Sequence, residues 1–244
     1  MKKNTFVAAA FISAVMLING TSLNAQSNKV PPANAPAPPP SDNKAKSDDD
    51  QVKKAAEWIA SLNLNDAAKE ARLTTLVATH LKTIRDWHNE HPPSTVPAGI
   101  NPVTGNKLSD LDRQVIANSA MPKAVHDDLM EGLKKDLTPE QVEAVLDKYT
   151  IGKVAFTMNG YKSIVPNMTE KEESTILGFV KQAREQAIDY KNMNQISAIF
   201  EIYKTKSEQY LNNNGRNWRQ MYKEYTDGVK AKKAADAAAK AAQQ

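Results

Sequence analysis

Two short segments announce helix starts before any wider pattern is considered. In Leu137-Thr138-Pro139-Glu140-Gln141 a threonine stands at the cap, a proline at the first helical position and a glutamine at the third. In Met168-Thr169-Glu170-Lys171-Glu172 the same device ends in glutamate. Each is a capping box: the hydroxyl accepts an amide proton from the third helical residue, whose side chain reaches back to the cap. Leu64-Asn65-Asp66 is a weaker version, and Asn192 opens a further helix whose apolar face is Ile196, Ile199, Phe200, Tyr203, Tyr210 and Leu211. Asn214-Gly215 closes that helix with the composition of a left-handed cap.

Between these signals the apolar residues recur at helical steps. Over residues 66–91, Leu73, Leu76, Val77, Leu81, Ile84 and Trp87 share one face. Pro92-Pro93 ends the run, because proline lacks an amide proton and disfavours helix in the residue before it. A loop with Pro97, Gly99, Pro102 and Gly105 follows, then helices over 107–119 and 122–135. Residues 154–165 alternate at first (Val154, Phe156, Met158), but Thr157, Tyr161, Ile164 and Val165 fit a helical face, and a lone strand would have no partner. The expected fold is therefore all-α, a single domain of packed antiparallel helices over residues 51–227.

Both ends read differently. Lys2 and Lys3 precede an uncharged apolar run of about 13 residues, and Ala25 follows as a small residue for cleavage, the three parts of a secretory leader over residues 1–25. The run falls short of the roughly 20 residues that span a bilayer, so no transmembrane segment is expected after cleavage. Residues 26–50 hold six prolines among Ala, Asn, Ser and Lys, the composition of a disordered linker. Residues 228–244 are an Ala/Lys-rich, low-complexity tail of high helix propensity. There is no cysteine, which excludes disulfides, thiolate zinc sites and a lipidated N-terminal cysteine. The formal net charge of +4 falls to +2 without Lys2 and Lys3, and the tail carries most of that. The domain is near neutral, which argues against a nucleic-acid partner. The expected location is the periplasm or the exterior.

Candidate chemistry is sparse. There are four histidines. His80, His88 and His91 fall within the apolar face of the 66–91 helix, and His126 stands apart. His88 and His91, at i and i+3, are weak candidates for a metal, against a simpler role in packing and capping a helix C-terminus. Arg184, Glu185 and Asp189 cluster, either as a solvated face or as part of a site. No Gly-x-Ser-x-Gly elbow and no glycine-rich phosphate loop occurs, and no cofactor is implied. Tyr161, Tyr190, Tyr203 and Trp218 lie in the aromatic-rich C-terminal half. Such side chains stack on sugar rings where exposed, and otherwise form core with a polar tip. They are the candidate binding residues; Tyr161, Lys162, Arg184 and Asp189 are the candidate acid, base and carboxylate-binding groups.

Five blocks carry a resemblance to a known family: Leu-Thr-Pro-Glu-Gln-Val (137–142), Tyr-Thr-Ile-Gly-Lys-Val (149–154), Asn-Gly-Tyr-Lys-Ser-Ile-Val-Pro-Asn-Met-Thr (159–169), Ala-Arg-Glu-Gln-Ala-Ile-Asp (183–189) and Ile-Phe-Glu-Ile-Tyr-Lys (199–204). Together they resemble the domain of unknown function 3826, and residues 64–91 resemble its N-terminal part more loosely. The resemblance implies a secreted protein of polysaccharide-degrading Gram-negative bacteria, encoded beside enzymes for pectin and other glycans. The first expectation is a periplasmic accessory protein of glycan use, pectin included, that binds a glycan or an envelope protein. An oligosaccharide-acting lyase or hydrolase is the alternative, and a helical periplasmic chaperone-like scaffold is a third.

Overall fold

The computed structural model describes residues 40–102 and 105–241. The leader expected at residues 1–25 and the linker up to residue 39 lie outside the described residues. Within them the chain forms nine α-helices: α1 (Pro40–Ala60), α2 (Ala67–Glu90), α3 (Asp110–Ser119), α4 (Ala124–Asp136), α5 (Pro139–Thr150), α6 (Lys153–Ile164), α7 (Glu170–Ala187), α8 (Met193–Asn213) and α9 (Trp218–Ala241). The fold is all-α. The described residues contain no strand, only one antiparallel bridge between Ile100 and Lys107 in the loop before α3.

Helix starts follow the side chains expected to set them. Thr138 and Thr169 form complete capping boxes with Gln141 and Glu172. Asp66 accepts from the Lys69 amide, and Asn192 from the Gln195 amide. Ser109 and Asp112 form a further capping box at the head of α3. Residues 153–164 are helix, with Val154, Thr157, Met158, Tyr161 and Ile164 buried.

One boundary differs from expectation. Residues 40–50, read as the end of a disordered linker, are the first half of α1. This half-helix is fastened by charge rather than by apolar burial. Arg85 of α2 bonds Asp48 at 2.6 Å and the Ser47 hydroxyl at 2.9 Å, and Lys44 reaches Asp86 at 3.2 Å. Apolar periodicity does not register such contacts. The Ala/Lys tail continues α9 without a break as far as Ala241, its described residues exposed.

Packing places α1 on α2 and α2 on α4, with Ala55, Ile59, Leu73, Val77, Leu129, Leu133 and Val145 in one buried cluster. Helices α7 and α8 form the most extensive pair, burying Ile176, Val180, Ile196, Ile199, Phe200 and Leu211. Ile188, in the turn after α7, is fully buried in the first cluster. That anchor holds the α7–α8 turn against α2 and sets the position of the next residue, Asp189.

Candidate functional site

Asp189 is where four elements meet. Its carboxylate accepts from His126 Nδ1 of α4 at 2.9 Å and from His80 Nε2 of α2 at 3.2 Å. Its backbone carbonyl accepts from His88 Nε2, two turns further along α2, at 2.8 Å. The other nitrogen of His80 lies 3.1 Å from the Tyr149 hydroxyl of α5. In the neutral His80 tautomer that donates to Asp189, this second nitrogen is an acceptor, so Tyr149 donates to it. The chain Tyr149, His80, Asp189, His126 thus runs from the interior outward with one proton in each bond. Tyr149 is buried and His80 is 3 % exposed, whereas the His126 side chain is 25 % exposed.

Electrostatics follow from this order. Burial alone would raise the Asp189 carboxyl pKa, but hydrogen bonds from His126 and His80 overcome it and hold the carboxyl below its ordinary value. The hydrogen bond to Asp189 raises the His126 pKa against partial burial, and Glu185 and Asp127 add to the rise. Burial pushes His88 down, which keeps it neutral as a donor to the Asp189 carbonyl. Tyr149 is raised well above the ordinary tyrosine by burial and stays protonated.

His126 Nε2 is 3.8 Å from a Glu185 carboxylate oxygen. Both residues line a hollow of about 700 Å³ between the α3–α4 connection and α7, with Asn118, Gln182, Gln186 and Tyr203 also in its wall. An imidazole held on one nitrogen by a half-buried carboxylate, with the other turned to an open cavity, is equipped for proton transfer. The carboxylate fixes the tautomer and stabilises the imidazolium that forms.

A family model described as "Protein of unknown function (DUF3826)" matches residues 49–231. The chain belongs to the DUF3826 family. No curated protein matches it. The match spans α2, α4, α5 and the α7–α8 turn, so every residue around Asp189 lies within the DUF3826 region.

The other residues singled out from this DUF3826 sequence have separate partners. Tyr161 is buried on α6, bonded to the Lys204 carbonyl and 5.3 Å from the Trp218 ring. Lys162 pairs with Glu173. Arg184, 2 % exposed, is bound by Glu143 and Asp147. These three do not join Asp189 in one cavity. Trp218 is buried between Tyr161 and Tyr222, and Tyr190 is buried against His88. Of the four aromatic candidates only Tyr203 reaches the hollow, so they form no common stacking platform. His91 stacks on Trp87 and donates to its carbonyl, while His88 serves Asp189. Among the described residues no three His, Asp or Glu side chains are grouped to hold a metal ion, and no helix is long and apolar enough to cross a membrane.

Sequence reasoning placed Asp189 among the candidates but missed His80, His126 and Tyr149 beside it. The available signal was His80 itself, a histidine on an otherwise apolar helix face, where burial demands a hydrogen-bond partner.

Proposed function

We propose that the protein is an acid–base enzyme acting on an oligosaccharide, a hydrolase or lyase, with His126 as the proton-transfer group and Asp189 as its positioning carboxylate. The observation that carries this reading is the His126–Asp189 pair facing the hollow. The amides of Asn118, Gln182 and Gln186 and the ring of Tyr203 support a hydroxyl-rich ligand, since sugars are held by amide hydrogen bonds and an aromatic face. Glu185, across from His126, is the second group able to exchange a proton with a bound hydroxyl or water. A periplasmic or secreted location follows from the leader expected at residues 1–25. Incubation of the mature chain with pectic and other acidic and neutral oligosaccharides, read by chromatography of the products, tests the proposal. Turnover that His126→Gln abolishes supports it. Turnover unchanged in that variant, or none on any class, overturns it.

A second reading keeps the hollow but not the chemistry: an accessory protein that binds a glycan. It is favoured by the openness of the rim, where the Glu185 side chain is 56 % exposed. Saturable binding without product, unchanged by His126→Gln, supports this reading over the first.

A further inference from the structure

A second cavity, of about 340 Å³, lies between α1, α2, the end of α5 and the start of α8, and shares no lining residue with the hollow of His126. Its wall holds Lys54, Arg85, Lys148 and Lys191 and no carboxylate. Two of these charges are already engaged. Arg85 is paired with Asp48 and Asp86, which do not line the cavity, and Lys191 donates to the Asn89 side chain at 2.7 Å. Lys54 and Lys148 form no ion pair with any described residue.

The remaining wall is aromatic. Trp58 packs edge-on to Tyr149 with ring centroids 4.9 Å apart, and the Lys54 ammonium sits 5.0 Å from the Trp58 ring centre. Partial burial lowers the pKa of that ammonium, on a residue that is otherwise exposed, and no acid offsets the effect. Ile151, which also lines the cavity, is held at φ 53° and is 72 % exposed. A β-branched residue in the left-handed region is strained, and strain of this kind concentrates at ligand sites.

We propose that this cavity is a binding site for a small carboxylate-bearing ring compound, with Lys54 and Lys148 taking the carboxylate and Trp58 the ring. A lone ammonium beside an aromatic face lacks only an anion to complete a charge-assisted hydrogen bond. The size suits one or two rings, at the lower end of ordinary ligand pockets. The ring could be a sugar or an arene, and the chemistry of recognition is the same for both. The site stands independently of the catalytic reading.

Calorimetric titration of the full chain at low salt with glucuronate, benzoate and glucose tests it, with Trp fluorescence recorded in parallel. The expected result is saturable binding of glucuronate or benzoate, with glucose at least about tenfold weaker. Glucuronate alone would identify a sugar-acid site, and benzoate alone an aromatic-acid site. Lys54→Gln and Lys148→Gln should each weaken binding about tenfold with the thermal midpoint unchanged, and the fluorescence response should vanish in Trp58→Phe. Glucose binding as tightly as the acids, no binding of either acid, or affinity unaltered in both lysine variants would each overturn the assignment.

Discussion

The carboxylate of Asp189 and the imidazole of His126 are 2.9 Å apart although 63 residues separate them in the chain. The contact closes α4 onto the α7–α8 turn. If the pair transfers protons, His126→Gln should remove most of the turnover, a loss of about 10²–10⁴-fold. Asp189→Asn should cost a comparable factor, because an amide cannot accept from both histidines. The two variants differ in stability. His126 is at the rim, so at alkaline pH, where its imidazole is neutral, its replacement should leave the urea midpoint nearly unchanged. Asp189→Asn places an amide N–H₂ against a histidine N–H in the interior and should cost about 1–3 kcal/mol.

The same pair predicts a pH signature. Because His126 has a raised pKa in the fold, its contribution to stability is fully present below the unfolded value of about 6.5 and is lost as pH rises through the folded pKa. The stability difference between the wild type and His126→Gln, from urea titrations between about pH 5 and 9, should therefore shrink with rising pH. A difference that grows toward alkaline pH would show that Asp189 does not favour the imidazolium. Catalysis by the neutral imidazole should run the other way and rise with pH through a midpoint above about 6.5.

Glu172 carries a separate acid-sensitive latch. It completes the capping box of α7 and accepts two bonds from Arg216, each at 2.8 Å. Arg216 also donates to the carbonyls of Pro166 and Asn167, fastening the turn before α7 to the α8–α9 connection. The hydrogen bonds from Arg216 lower the Glu172 pKa to about 2 against burial, with help from Thr169. Its stabilisation is present above the ordinary carboxyl range and is lost as pH falls toward about 2. Glu172→Gln should cost roughly 2–3 kcal/mol near neutrality by urea unfolding. It should also flatten the acid limb of the stability curve.

Ile151 offers the opposite sign. It caps α5 in the left-handed conformation at φ 53° and ψ 48°, where glycine is the usual occupant. With the side chain largely exposed, little packing is at stake. Ile151→Gly should raise stability by roughly 0.5–1 kcal/mol, the relief of the left-handed strain less the added freedom of the unfolded glycine. A thermal midpoint that falls instead would mean that the isoleucine makes contacts worth more than its strain.

Most of the architecture was legible in the sequence because it rests on local rules. Thr138, Thr169, Asp66 and Asn192 mark their helices wherever the rest of the chain lies, and the Leu73 to Ile84 face is buried as its spacing requires. The first half of α1 was not legible, since Lys44, Ser47 and Asp48 hold it by pairing with residues far along the chain. The site divides in the same way. Asp189 could be suspected from its charged neighbourhood, but nothing local says that His80, His126 and Tyr149 converge on it. Their meeting depends on how α2, α4 and α5 pack. The aromatic residues show the converse: Tyr161, Tyr190 and Trp218 have the composition of a binding surface and the burial of a core.

The charged fastening of α1 bears on how the protein should be produced. A recombinant fragment begun at residue 51, the boundary that composition suggests, would amputate Ser47 and Asp48 and leave the Arg85 guanidinium, whose side chain is only 15 % exposed, with Asp86 as its remaining partner. The stump that remained would still carry Trp58 and Lys54 but would start in mid-helix, with unsatisfied amides next to the smaller cavity. Ligand screens on such a fragment would report on a frayed wall, so the expressed chain should begin upstream of Pro40.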